Sequence, residues 1–140
     1  MSCILIIDDE ADVREGMRRV LTRAGHVVRT LGDPSEAVAD LQRARADLVI
    51  TDIIMPKVNG VEVVQAILRE FPAMRILVIS GGGNFDTGPH NSNEIITTAY
   101  LTDALAAGAH HVLNKPFDSS ELLQAVEMII GAGKRGDPLS

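Results

Sequence analysis

The sequence predicts one α/β domain built on a parallel five-stranded sheet with helices on both faces. Three observations predict it. Short apolar, β-branched runs recur at 3–7, 26–30, 48–51, 75–80 and 110–114. Between them lie stretches whose apolar residues repeat at helical spacing. The steps between run and helix are mostly short, and strands alternating with helices in this way pack as a parallel sheet covered on both sides. A chain of 140 residues suits one domain with a sizeable core.

Each element has its own signal. Cys3-Ile4-Leu5-Ile6-Ile7 is continuously apolar, as expected of a central strand buried on both faces. Asp8, Asp9 and Glu10 follow at once. A helix then sets Val13, Met17, Val20, Leu21 and Ala24 along one face, with Gly25 where a C′ glycine belongs. His26 to Thr30 is a shorter strand nearer an edge. Asp33-Pro34-Ser35-Glu36 reads as a helix start with Asp33 as N-cap, and Val38 and Leu41 give that helix a thin apolar stripe. The strand at 48–51 runs out at Asp52. Met55-Pro56 stops its ladder, because proline has no N–H to donate, and Gly60 allows the turn into the next helix.

That helix is expected from Val61 to about Phe71, with Val64, Ile67 and Leu68 inward and Pro72 ending it. Arg75 to Ser80 is the fourth strand. Residues 81–93 carry no periodicity and read as a loop, long for a strand-to-helix connection. A helix resumes between Asn93 and Tyr100 and runs to Ala107, with Ile96, Ala99, Leu105 and Ala106 as core candidates; Gly108 ends it. His110 to Asn114 is the fifth strand, closed by Lys115-Pro116. Asp118 and Glu121 form a capping box for a helix that turns Leu122, Leu123, Val126, Ile129 and Ile130 inward. The domain is expected over residues 1–130, with 131–140 as a flexible tail.

Composition narrows the function classes. Aromatics are scarce and Trp is absent, so the core is aliphatic. A net charge of −6 argues against nucleic acid as a direct partner of the whole surface. The single Cys3 cannot form an intrachain disulfide and reads as a buried structural thiol. No apolar run reaches the length of a membrane span, and the chain opens directly into a strand rather than a signal peptide. A cytoplasmic protein is expected.

Polar groups gather where the strands end. Asp8 and Asp9 follow the first strand, Asp52 ends the third, Ser80 the fourth and Lys115 the fifth. In an open parallel sheet these ends share one edge, where ligands bind. Taken singly, each has a bland reading: first-turn acids favoured by the helix dipole, a turn acid, a solvated lysine. Their convergence points to chemistry. Two carboxylates about 4 Å apart repel by ~4 kcal/mol at an effective dielectric of 20, so either one takes up a proton or a cation is held between them. Carboxylates with no His or Cys nearby favour a hard ion, and Mg²⁺ typically keeps waters that a phosphate can replace. Lys115 is a compact charge suited to a phosphoryl oxygen, and the Ser80 hydroxyl with the N–H groups of Gly81 and Gly82 can donate to the others. These parts describe an aspartyl-phosphate site with Asp52 as nucleophile.

Three motifs lack such company. Gly81-Gly82-Gly83 is followed by no Walker lysine or dinucleotide spacing. His110 and His111 are strand neighbours and point to opposite faces. Lys134-Arg135 reads as solvated charge.

From Cys3 to Ile130 the sequence resembles a response-regulator receiver domain of two-component signalling. The resemblance rests on Asp8-Asp9-Glu10, Asp52-Ile53-Ile54-Met55-Pro56 with Gly60, Ile79-Ser80-Gly81, Gly108-Ala109 and Lys115-Pro116-Phe117. It implies the flavodoxin-like, doubly wound strand order 2-1-3-4-5, that of the chemotaxis receiver. It also implies that Asp52 accepts a phosphoryl group from a phosphohistidine on a sensor histidine kinase or phosphotransfer protein. Asp9, Asp52 and the Ile54 carbonyl would bind Mg²⁺ directly, with Asp8 acting through water. Ser80, Gly81 and Lys115 would contact the phosphoryl group, and the bond between Lys115 and Pro116 would be cis. The chain would catalyse only its own phosphotransfer and slow dephosphorylation. It would act on a downstream protein through its fourth and fifth helices and fifth strand, as a monomer or phosphorylation-dependent dimer, with no direct contact to nucleic acid or membrane.

Two positions depart from that pattern. Many receivers carry Tyr or Phe three residues before the lysine, where Val112 stands here. Val112 cannot swing as an aromatic does, which makes ordering of the long 81–93 loop the candidate switch. Ile54 and Gly82 stand where relatives often place polar groups that orient the attacking water, so self-dephosphorylation is expected to be slow. Two other classes compete. An aspartyl-phosphate phosphohydrolase usually needs a second Asp two residues after the nucleophile, where Ile54 lies. A flavin module needs aromatics to stack on the ring, and this chain has one Tyr and no Trp. No output-domain pattern follows residue 130, which leaves a stand-alone receiver or one excised from a larger regulator.

Overall fold

A computed structural model describes residues 2–52, 60–80, 102–114 and 117–134. Five strands alternate with helices: β1 (Cys3–Ile7), α1 (Ala11–Arg23), β2 (Val27–Leu31), a 3₁₀ turn (Pro34–Glu36) running into α2 (Ala37–Arg43), β3 (Leu48–Asp52), α3 (Gly60–Glu70), β4 (Ile76–Ser80), α4 (102–107), β5 (His111–Asn114) and α5 (Ser119–Lys134). All strand pairs are parallel and the order is β2-β1-β3-β4-β5. This is the doubly wound order that the resemblance implies.

Alternation along the strands divides the core in two. Ile4, Ile6, Ile50, Leu77 and Ile79 meet Met17 and Leu21 of α1 and Leu122 and Val126 of α5 on one face. Leu5, Ile7, Val49 and Val78 meet Leu41, Val64 and Ile67 of α2 and α3 on the other. Strands β1, β3 and β4 are nearly or wholly buried because helices cover both their faces, whereas β2 at the edge leaves Val27 47% exposed.

The caps show how local chemistry sets the ends. Asp118 and Glu121 make the reciprocal capping box: Glu121 N–H donates to Asp118 Oδ1 at 2.8 Å and Asp118 N–H to Glu121 Oε1 at 3.2 Å. Asp33 accepts from Ser35 N–H instead of from the third helical residue, and this tighter turn is why a 3₁₀ segment precedes α2. Helix α5 continues to Lys134, beyond the Ile130 at which its apolar periodicity stops. The expected β2 and β5 begin one residue later than their apolar runs suggest.

One expectation about the core is corrected. Leu105 is 49% exposed and Ala106 is exposed, while Ala104 is fully buried and Ala107 packs against the core. The inward face of α4 runs through positions 104 and 107, three apart, so 105 and 106 turn outward. Ile96 and Ala99 lie outside the described residues, as does the 81–93 loop. Ala24, at the C-cap of α1, is also exposed.

Gly108 closes α4 with φ +121°, and a Cβ there would lie 2.5 Å from Leu68 Cδ1 of α3. Gly25 (φ +100°) closes α1 with nothing within 4 Å of such an atom. Both Ala variants suffer the left-handed backbone, and only Gly108→Ala adds a clash. We expect Gly108→Ala to destabilise by about 1–3 kcal/mol in urea unfolding, and Gly25→Ala to cost less.

The histidines at 110 and 111 serve the sheet. His110 N–H donates to Ile76 O at 2.8 Å, and Ile76 N–H donates back to His110 Nδ1 at 3.2 Å. Partial desolvation of its ring, on a residue otherwise exposed, and then the charge of Arg75 lower the His110 pKa from its usual value, which favours the neutral form that can accept. No helix among the described residues is long and apolar enough to cross a membrane.

Candidate functional site

The carboxyl ends of β1 and β3 lie side by side, with Ile7 in register with Thr51. One residue further on each strand stand Asp8 and Asp52. Both are buried: Asp8 fully, Asp52 to 2% exposure. Asp8 N–H donates to Leu31 O at 3.1 Å, so the β1–β2 ladder carries Asp8 one step past the strand. Its Oδ1 accepts from Glu10 N–H at 2.9 Å, an Asx turn that folds the chain back at once. Arg14 Nη1 donates to the Asp8 carbonyl at 2.7 Å and lies against Gly32, whose added Cβ would stand 3.0 Å from it. A guanidinium thus fastens this loop to the first turn of α1.

The turn brings a third carboxylate in. Oxygens of Asp8, Glu10 and Asp52 all lie within 4.8 Å of one another. Glu10 occupies the N-cap of α1 yet makes no side-chain capping bond. Asp9, between them in sequence, is exposed and outside this group. Close approach of three acids in a largely buried site is an electrostatic cost unless positive charge joins them. An all-oxygen donor set with no His or Cys fits a hard divalent cation.

Ser80 ends β4 on the neighbouring strand. Asp52 pairs in register with Ile79, and Ser80 is the next residue, fully buried. Its hydroxyl donates to Asn114 Oδ1 at 2.5 Å across the β4–β5 pair, where Ser80 and Asn114 are in register. Asp8, Asp52 and Ser80 therefore share one rim. Lys115, Gly81 and Ile54 lie outside the described residues.

Two members of this rim escape a reading of residues alone. Glu10 looks like a first-turn acid, and its signal is an unbroken run of three acids directly after a buried strand. Asn114 stands just before Lys115, and only the β4–β5 register reveals its partner.

Comparison with known proteins agrees with the architecture. Residues 4–127 match the response regulator receiver domain. The chain is 34% identical over 92% of its length to the DNA-binding transcriptional regulator NtrC of Azospirillum brasilense, of which it spans 24%. It is 33% identical over 93% of its length to the transcriptional regulatory protein DegU of Brevibacillus brevis, spanning 50% of it. The chain thus covers a quarter to a half of the length of these two regulators. Against the chemotaxis protein CheY of Thermotoga maritima it is 29% identical, covering 90% of this chain and 95% of that one. The crystal structure of Vibrio cholerae CheY4 superposes with a TM-score of 0.74 at 30% identity, over 92% of this chain and 98% of that one. Fold, rim and sequence converge: this chain belongs to the response regulator receiver domain family of two-component signalling.

Proposed function

We propose that Asp52 accepts a phosphoryl group from a phosphohistidine of a sensor histidine kinase or phosphotransfer protein, with Mg²⁺ at the Asp8–Glu10–Asp52 rim. The observation that carries this reading is the grouping of three carboxylates from two strand ends within 4.8 Å. An Asp52 carboxylate oxygen attacks phosphorus, the bond from phosphorus to imidazole nitrogen breaks, and the imidazole leaves to take a proton. Bound Mg²⁺ supplies positive charge against the transferring oxygens. Asp52 and the Ile54 carbonyl would hold it directly and Asp8 through water, Glu10 would close the same rim, and the exposed Asp9 would have to turn inward to join them. Lys115 neutralises a phosphoryl oxygen, while Ser80 O–H and Gly81 N–H donate to the others. Burial of Asp52 keeps bulk water from the acyl phosphate, and Ile54 and Gly82 offer no side chain to orient an attacking water. The phosphoryl group is retained as a signal.

The signal is read on α4, β5 and α5, where Leu105 is 49% and Met128 55% exposed, surfaces suited to a downstream protein or a second copy. The protein is cytoplasmic on this reading, and the acidic receiver itself does not touch nucleic acid.

The test is a small phosphodonor with Mg²⁺, read by intact mass. Wild type should gain one phosphoryl group per chain and Asp52→Ala none. Steady release of phosphate from a phosphate ester would favour a phosphohydrolase instead.

A further inference from the structure

The Ser80 hydroxyl has one proton, and the structure shows where it is committed. Ser80 is fully buried at the end of β4, and it donates to Asn114 Oδ1 at 2.5 Å. Asn114 is exposed at the end of β5, the edge strand of the sheet. This one bond runs from a buried position beside Asp52 to the surface. Strand neighbours two apart share a face, so Val112 lies on the same side of β5 as Asn114 and packs against the core. An aliphatic side chain there can neither donate nor accept, and among the described residues Asn114 is the polar link from Ser80 to the edge.

We propose that Asn114 is a latch on Ser80: its carbonyl oxygen holds the hydroxyl proton in the resting chain and must give it up before Ser80 can engage a phosphoryl oxygen. The proposal rests on the phosphoacceptor reading of Asp52. A hydroxyl has a single donor, so the two acceptors exclude one another. When a phosphoryl group is present, its charged oxygen is the stronger acceptor, and the proton transfers its hydrogen bond without any covalent change. The released Asn114 carboxamide then faces solvent on β5. Any downstream partner that bonds this freed carbonyl favours the engaged state of Ser80, and by linkage the engaged state favours that partner equally.

A merely structural role makes a different prediction. If the bond only satisfies a buried hydroxyl, its loss lowers stability and leaves phosphoryl affinity alone. The latch requires the affinity to rise, because the resting state loses a competitor. Asn114→Val suits this test: it removes the acceptor, and a β-branched residue is at home in a strand.

The experiment titrates beryllofluoride, a phosphoryl mimic, into the full chain with Mg²⁺, following affinity and the Asn114 side-chain amide resonances. In wild type, beryllofluoride should move those resonances toward their positions in metal-free Ser80→Ala. Asn114→Val should bind beryllofluoride about two- to tenfold more tightly, the range that one neutral hydrogen bond spans. In a Ser80→Ala background the same substitution should change nothing. Wild-type affinity in Asn114→Val, or a gain that persists without the Ser80 hydroxyl, overturns the latch while leaving Asp52 as phosphoacceptor. A wild-type chain that takes up neither beryllofluoride nor a phosphoryl group overturns both readings together.

Discussion

Saturating Mg²⁺ should stabilise the wild-type protein and do nothing for Asp52→Asn, which should in turn be the more stable of the two in chelator. The sign follows from the rim. Asp52 and Asp8 are buried, and oxygens of Asp8, Glu10 and Asp52 lie within 4.8 Å of one another. Repulsion among these acids is one cost of the native state, which the unfolded chain relieves by separating them and a bound cation offsets. Asparagine has nearly the shape of aspartate and removes one charge, so metal-free Asp52→Asn should gain about 1–3 kcal/mol over wild type. A ligand that binds only the native state adds RT ln(1 + [L]/Kd), about 2.7 kcal/mol at a hundredfold excess over Kd. The two curves should therefore cross as Mg²⁺ is added. Urea unfolding of both proteins, in chelator and across a Mg²⁺ series, measures this directly. Equal stabilisation of both variants would place the cation elsewhere. Glu10→Gln should show the same trend more weakly, because Glu10 is exposed and water already screens its charge.

Much of this molecule is written in its periodicity. Continuous apolar runs at β1, β3 and β4 mark strands covered on both faces, and the acids and hydroxyl that follow them mark the rim. Strand order is not in that pattern; it came from the family's motifs, because a run of five strands alone fits several windings. What escaped has physical causes. Leu105 and Ala106 look like core residues by composition, yet in an alanine-rich helix several faces are equally apolar, and packing against the core selects 104 and 107. The end of α5 blurs because glycine and alanine carry no clear helical period. Glu10 belongs to the rim only because the Asx turn at Asp8 reverses the chain, and such a turn depends on one side-chain hydrogen bond. Asn114 matters only through register, which a single strand does not carry.

Away from the rim, the largest stability effect is expected where β2 meets α2. Arg29 donates from Nε and Nη2 to Asp40 Oδ2 at 3.1 and 2.8 Å, from Nη2 to Ala44 O at 3.0 Å, and from Nη1 to Arg45 O and to Cys3 Sγ, each at 3.1 Å. Ala44 is the C-cap of α2, so the guanidinium also sits where a helix dipole favours a cation. The hydrogen bond to Asp40, outweighing partial burial, raises the Arg29 pKa, and the group stays charged. The Asp40 side chain is only 14% exposed. Arg29→Met keeps the apolar stem but leaves the mostly buried Asp40 carboxylate, among the described residues, with only the exposed Arg43 at 4.0 Å. Water can reach the Ala44 and Arg45 carbonyls, so the cost is about 1–3 kcal/mol. Arg29→Lys should recover little of this, since an ammonium cannot reproduce the fork. Arg29→Met combined with Asp40→Val should be less destabilised than the sum of the single changes, because no buried charge is left unpaired. The exposed pair Arg18–Glu15 is the control: its removal should leave the urea midpoint nearly unchanged, and any small effect should vanish in high salt. Because Arg29 pairs in register with Leu5, in the middle of β1, short of the Asp8 rim, the folded Arg29→Met chain should still take one phosphoryl group on Asp52. A variant that unfolds at lower urea and phosphorylates normally would separate the cement of the fold from the chemistry of its rim; normal stability would show that these five bonds only replace equally good ones to water.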